Sequence, residues 1–477
     1  MSTLSEHFGL NRTQAELDFV DVPIDGDLAL FVDPFAFTVR DDAWSFECNE
    51  SVLSFFSAAL DCVRRGNDAR GQLLLDKLSE PNETHLGLSS GRPQGRGVSG
   101  KQALDLYEHL KDSKAAQTGI LSELADCDLF VEGIGPDKIS DITTNIIRAQ
   151  LISYTREQCK LHGIPLRHGV PSGRVWNFRS ERWEELYVDL PVVHSTKLLL
   201  VPKASVRWSL SFSPQKYYRH FVLTYLQSEF PEQSLALAEA LRRGARYPTK
   251  KELEEEYPFS KGFLAEFSQK HPDVLDEYKK AVGVPREISN EELLEGFDSG
   301  KFAGILKEKL RTIPPGPDHA TDFHLFILGV LEFIFYPDLI YPQSEFPIHQ
   351  GRKIIDIKFT NAAREGFFFG ARFNPGTRAI NVFTECKNYS HDPANPELDQ
   401  LSGRFAPQRG RLGLLVARDF KNRELFVRRC RDTVHDDRGF IIPLVDNDVL
   451  ELLDYIEQDT SDEIGTFFVK RFDEITT

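Results

Sequence analysis

Residues 378–387, Arg-Ala-Ile-Asn-Val-Phe-Thr-Glu-Cys-Lys, read as a strand. Side chains alternate along a strand, so Glu385 and Lys387 share one face while Thr384 and Cys386 share the other. A carboxylate and an ammonium then project side by side from one strand end. Upstream, Asp356 interrupts the apolar run Ile354-Ile355-Asp356-Ile357. A carboxylate there is costly unless a partner or a metal satisfies it, and Glu385 on a neighbouring strand is the expected companion. Two carboxylates and the backbone carbonyl of Cys386 make an oxygen cage of the kind Mg²⁺ prefers, with Mn²⁺ as the alternative ion. Such a metal neutralises charge on a scissile phosphate and lowers the pKa of a bound water. Lys387 would orient that water or stabilise the transition state. The same residues also admit a plainer reading, an exposed Glu385–Lys387 cross-strand pair and a salt-bridged Asp356.

The elements that must position these residues alternate helix and strand. Residues 322–335 are apolar almost all round and read as a buried helix. Strands are expected at 345–347, 353–359 and 379–387, then a helix at 396–405 and a strand at 412–417. A helix at 421–433, a strand at 440–445 and a helix at 448–457 complete the order. That order implies a mixed sheet flanked by helices.

This arrangement resembles the PD-(D/E)xK nuclease superfamily, the restriction-endonuclease-like fold, and its Mrr-like branch in particular. The family's Asp and Glu-x-Lys are matched by Asp356 and by Glu385-Cys386-Lys387. The family often carries an acidic residue on the helix before the first strand, and Glu332 lies on such a helix. Several branches carry a Gln on the helix after Glu-x-Lys, here Gln400. Arg404 follows four residues on, hence on the same expected helix face. The resemblance implies Asp356, Glu385 and Lys387 as the catalytic centre, with Glu332 and Gln400 in support. It covers residues 318–453. Glu385 follows Asp356 by 29 positions, which is long for a hairpin. The insert, residues 361–378, contains Phe367-Phe368-Phe369, Arg364, Arg372 and Arg378. Aromatic rings can stack on bases and arginines can hold phosphates, so Arg372, Arg378 and Arg404 are expected nucleic-acid contacts. The insert would equally serve as a cover over the core.

The whole chain has 477 residues and a net charge of −16, which argues against a protein that coats nucleic acid over its entire surface. The charge is uneven. Residues 352–431 hold 16 Lys/Arg against 8 Asp/Glu, whereas residues 436–477 hold 3 against 12. The basic stretch is the one that carries Glu385 and Lys387. Six scattered cysteines form no Cys-x-x-Cys pair, so neither a zinc site nor a disulfide framework is expected. No apolar run is long enough to span a membrane, and the N-terminus does not read as a secretory signal. A cytoplasmic protein with reduced thiols is the expectation.

Three regions are expected. Residues 1–212 read as an α/β domain, with strands at 17–22, 28–32, 128–131 and 198–201 and a helix at 142–158 capped by Ser140 and Asp141. A glycine-rich loop spans residues 86–100. Its Gly95-Arg96-Gly97-Val98-Ser99-Gly100-Lys101-Gln102 misses the phosphate-binding loop pattern, because Gln102 stands where Ser or Thr is needed. Residues 213–311 read as a helical connector punctuated by prolines. Residues 312–477 form the nuclease-like domain. The fold class expected is therefore α/β, with a C-terminal restriction-endonuclease-like sheet.

The function implied is metal-dependent hydrolysis of phosphodiester bonds. DNA is the first expectation and RNA the alternative, in a role like that of restriction or anti-phage defence nucleases. The residues before 312 would recognise the substrate or gate the nuclease, together with an activating partner protein. Cutting both strands favours a homodimer. A different reading is a nucleic-acid-binding or sensor protein built on an inactive nuclease fold.

Overall fold

The computed structural model describes residues 2–87, 100–233, 248–344 and 357–477. Two hydrophobic cores organise it. One gathers residues from Leu4 to Ile288 and adds Ile340 and Tyr341. The other runs from Phe302 to Ile475 and adds Ala15 and Leu161. The stretch expected as a separate connector divides between them. Leu253, Leu264, Val274 and Tyr278, from the helices Lys250–Glu256, Lys261–Lys270 and Pro272–Val282, are buried in the first core. Phe302, Leu306 and Leu310 enter the second. Short amphipathic helices have no core of their own, so each joins whichever core its apolar face meets.

The first unit is more helical than its sequence suggests. Helix α1, Ala43–Arg65, is capped by the Asp42 carboxylate, which accepts from Ser45 N–H at 2.8 Å. The expected helix at 142–158 is two helices, α2 (Pro136–Ile146) and α3 (Arg148–His162). Pro136 suits the first turn because its missing N–H is not needed there. Ser140 and Asp141 therefore lie inside α2 rather than capping it, and Ser140 Oγ accepts from Val32 N–H at 2.9 Å. The expected strand at 128–131 is a short helix, Asp126–Phe130. Its residues are all buried, and a short run buried on every side carries no periodicity to separate helix from strand. The segments at 17–22 and 198–201 are buried but irregular, and of 28–32 only Phe31–Val32 pairs, with Val206–Arg207. A long antiparallel hairpin, β1 (Arg167–Asn177) with β2 (Arg182–Leu190), was not foreseen. All six cysteines are buried, and none is in a disulfide. Among the described residues no helix is long and apolar enough to cross a membrane.

The second unit begins with α4 (Ser299–Thr312) and α5 (Ala320–Phe335). Then come β3 (Leu339–Ser344), β4 (Ile357–Asn361), α6 (Gly366–Phe373), β5 (Asn381–Lys387), α7 (Asn395–Ser402) and β6 (Leu412–Ala417). Helix α8 (Arg423–His435), β7 (Phe440–Val445), α9 (Asp446–Glu457) and α10 (Glu463–Thr476) complete it. The five strands form one mixed sheet in the order β7-β6-β5-β4-β3. β3, β4 and β5 run as an antiparallel meander, whereas β6 and β7 are parallel to β5. The strand expected at 345–347 lies outside the described residues, as does the first part of the one expected at 353–359.

The two units are locked across α5. Arg12 donates to the carbonyl of Leu325 and packs against Gly329, where an added Cβ would stand 1.9 Å from Arg12 Nη1. A side chain there would displace the Arg12 guanidinium from this position. The insert between β4 and β5 folds as α6. Phe368 is buried, with its ring 5.1 Å from that of Phe335 and 5.4 Å from that of Phe468. This part of the insert covers the core, while Phe369 and Phe373 remain exposed.

Candidate active site

Strand β5 is the central strand of the sheet, and its C-terminal end carries the site. Glu385 is 0% and Lys387 2% exposed, so the exposed cross-strand pair is ruled out. Their side chains form an ion pair within the same strand. Burying two charges is expensive unless geometry and extra partners compensate. Here the neighbours come from α7 and the turn after it. Lys387 Nζ donates to Gln400 Oε1 at 3.4 Å, and Arg404 Nη2 lies 3.8 Å from Glu385 Oε2. Helix α7 stops at Ser402, earlier than expected. The turn that follows, closed by Arg404 N–H to Leu401 C=O at 3.2 Å, still directs Arg404 inward. Four residues expected from the sequence (Glu385, Lys387, Gln400 and Arg404) therefore meet.

Asp356 lies outside the described residues. Its chain neighbour Ile357 pairs antiparallel with Thr384, the residue next to Glu385. The donors present near Glu385, a buried carboxylate and the Cys386 backbone, are hard oxygens and suit Mg²⁺ in kind. Among the described residues no group of three His, Cys, Asp or Glu side chains is placed to hold a metal. The second carboxylate expected from the sequence, Asp356, is outside the described residues.

Glu332 is not part of this cluster. It is buried on α5, and the charges acting on it are Asp18, Lys203, Arg12 and Glu16 of the first unit. Burial, reinforced by Asp18, pushes its carboxyl well above the ordinary value. The residue of α5 that does reach the site is His324, which sequence reasoning missed. It is 2% exposed, hydrogen-bonds to the backbone of Cys386 and feels the charge of Lys387. Burial first, and Lys387 second, lower its pKa to about 4. On a helix of about 100° per residue, positions 324 and 332 point about 80° apart, so only one can face the strand end. Because α5 is apolar all round, the sequence carries no signal for which one.

The neighbourhood is basic and aromatic. Tyr389 lies 5.8 Å from Lys387 Nζ, with its ring stacked on His391. Asn388 donates to the carbonyls of Pro314 and Gly316 at 3.0 and 2.8 Å, which ties the entry of α5 to the end of β5. Arg418 donates to Asn388 Oδ1 at 3.3 Å and to Asp446 Oδ2 at 2.9 Å. The two insert arginines expected to contact nucleic acid are placed elsewhere. Arg372 pairs with Asp41 of the first unit at 2.8 Å, so its charge is already met at the junction between the units. Arg378 is exposed in the turn before β5, with φ at 38°.

No curated protein and no solved structure matches the chain. Residues 9–213 match a family model described as a domain of unknown function, DUF8370, a stretch that contains none of the residues gathered around Glu385.

Proposed function

We propose that the chain is a metal-dependent nuclease of the PD-(D/E)xK kind, hydrolysing phosphodiester bonds in DNA. One observation carries this reading: a fully buried Glu385–Lys387 pair at the end of the central strand, met by Gln400 and Arg404 from the following helix and turn. A structural ion pair needs neither the Gln nor a location at a strand end in a basic segment. The five-stranded mixed sheet flanked by helices supports the same reading, since a mixed sheet of this element order is what the family resemblance implies.

When bound, Mg²⁺ would supply charge neutralisation at the phosphate and a more acidic water. Glu385, with Asp356, would hold it. Lys387 places a positive charge where negative charge grows on the phosphoryl oxygens, and preorganised charge of this kind is usually a large catalytic contribution. Gln400 fixes the Lys387 ammonium, and Arg404 balances Glu385. His324, neutral because its pKa is near 4, holds the Cys386 backbone without adding a further charge. A role in defence against foreign DNA belongs to the proposal by analogy with restriction-like nucleases.

The test is cleavage of plasmid, linear and single-stranded DNA and of RNA with Mg²⁺ or Mn²⁺, with wild type beside Glu385→Gln and Asp356→Ala. Cutting by wild type alone is expected, with DNA preferred. Cutting by either variant at the wild-type rate would overturn the assignment. So would a wild type that cuts nothing and binds metal no better than Asp356→Ala, which would leave a binding protein.

A further inference from the structure

Strand β5 runs out into a short loop, residues 388–394, before α7. Two aromatic rings stand in that loop. Tyr389 and His391 have ring centroids 4.9 Å apart and planes 7° from parallel. The Lys387 ammonium lies 5.8 Å from the centre of the Tyr389 ring. Lys387 is 2% exposed, Tyr389 half-buried and His391 exposed, so the pair leads from the candidate active site out to solvent.

The rings are not there to fill the interior. Tyr389 belongs to neither hydrophobic core, nor is it among the apolar side chains packed against them. The loop is nevertheless fixed. Asn388 anchors its start through the carbonyls of Pro314 and Gly316. Asp392 accepts from Lys421 N–H at 2.8 Å and from Asn422 N–H at 3.0 Å, and Ala394 N–H donates to Glu397 Oε2 at 2.7 Å. A fixed pair of flat rings at the surface offers stacking area at little ordering cost. The Asp392 bonds also place Lys421 beside the loop, with its side chain exposed. A cation beside aromatic rings is the combination with which proteins hold single-stranded nucleic acid.

The rings also limit what can stack on them. A base inside a duplex is covered on both faces by its neighbours, so a protein ring reaches one only where it is unpaired or turned out of the stack. Every base has a flat face, so the contact does not depend on sequence. We propose that Tyr389 and His391 form a stacking platform for an unpaired base next to the scissile phosphate, which makes single-stranded DNA the preferred substrate. The proposal rests on the nuclease reading for its ligand. His391 supplies the open face, Tyr389 backs it, and Lys421 meets a phosphate of the same strand.

The test uses the full chain without divalent metal, so that no strand is cut. Fluorescence anisotropy follows binding of three labelled oligodeoxynucleotides: a single strand, the same strand with abasic sites, and a blunt duplex. Each is titrated with wild type, His391→Ala and His391→Phe. The intact single strand is expected to bind tightest. His391→Ala should weaken it by about fivefold or more, and His391→Phe, which keeps a ring, should restore most of that loss. Binding of the abasic strand should not change in His391→Ala. His391 is exposed, so both variants are expected to keep the wild-type thermal midpoint. The comparison of intact with abasic strands needs no variant at all. Equal binding of intact and abasic strands, unchanged affinity in His391→Ala, a His391→Phe as weak as His391→Ala, a duplex bound as tightly as the single strand, or no binding would each overturn the proposal. Adding Mg²⁺ to wild type separates the platform from the activity. Preferential single-strand binding without cleavage retires the nuclease reading and supports the platform, whereas cleavage with equal binding of intact and abasic strands removes the platform alone.

Discussion

Lys387 Nζ donates to Gln400 Oε1 at 3.4 Å, so the ammonium on the central strand is steered from the helix that follows it. Gln400 is itself exposed, unlike the pair it serves. Its removal therefore separates catalysis from folding. Gln400→Ala is expected to lower the cleavage rate by about 10- to 100-fold, the weight of one hydrogen bond to a charged group. Its thermal midpoint should stay near wild type, since exposed substitutions usually cost within about 0.5 kcal/mol. A variant that loses stability instead would make Gln400 a structural residue.

The Glu385–Lys387 pair behaves differently because both partners are buried. Lys387→Met leaves a carboxylate in the interior without its ammonium, with Arg404 still 3.8 Å away. Breaking a buried pair from one side costs about 3–5 kcal/mol. The double variant Glu385→Gln with Lys387→Met removes both charges and should recover much of that loss in urea unfolding. If the single and double variants unfold at the same urea concentration, the two charges are not coupled in the folded state. Glu385→Gln breaks the same buried pair from the other side, so its activity is to be read beside its own urea unfolding.

How far the sequence carried differs between the two units for a physical reason. In the C-terminal unit, 412–417 and 440–445 are continuous apolar runs between turn residues, and the structure has strands at those bounds. The alternation around Glu385 fixed which side chains share a face, whereas Arg404 reaches Glu385 from the turn after α7 and not through the four-residue helical spacing expected to pair it with Gln400. Helix α5 defeated the same approach. With apolar residues nearly all round, it has no periodicity to show which polar side chain faces the strand end; the family resemblance points to Glu332, and nothing in the sequence points to His324. The first unit was harder still. Leu17, Phe19, Leu199 and Leu200 are buried in irregular segments held by scattered backbone bonds, such as Val20 N–H to Val201 C=O at 2.9 Å. Such segments look like strands by composition alone. The buried Arg40–Asp42–Glu287 contacts join residues far apart in the chain, and no local pattern announces them.

His324 ties the site to acid stability. Burial lowers its pKa from 6.5 to about 4, so between those values the unfolded chain binds more protons than the folded one. Stability from this group is present above pH 6.5 and lost as pH falls toward 4. The loss approaches about 3 kcal/mol at about 1.4 kcal/mol per pH unit. Comparing denaturant unfolding of wild type and His324→Gln across that range should show the variant with the shallower decline. Parallel curves would mean that His324 is accessible to protons in the folded state.

Glu332 gives the opposite slope. Its carboxyl is buried among Asp18, Lys203, Arg12 and Glu16, and both its oxygens are without hydrogen-bond partners among the described residues. Burial, then Asp18, raise its pKa well above 4.5, while Lys203 and Arg12 oppose the rise less strongly. Lys203 is itself lowered to about 8 by burial and sits 4.2 Å from the Tyr336 ring. Above pH 4.5 the unfolded chain releases the Glu332 proton while the folded chain keeps it. The stability linked to Glu332 is thus full below pH 4.5 and is lost as pH rises toward the folded value, by about 1.4 kcal/mol per unit. Glu332→Gln keeps the shape and the neutral charge but carries no proton to lose. Its thermal midpoint should match wild type near pH 5 and exceed it increasingly toward pH 8. A midpoint difference that does not change with pH would mean that Glu332 is ionised in the fold, with Lys203 as its partner. The junction between the two units would then be held by an ion pair rather than by a neutral acid.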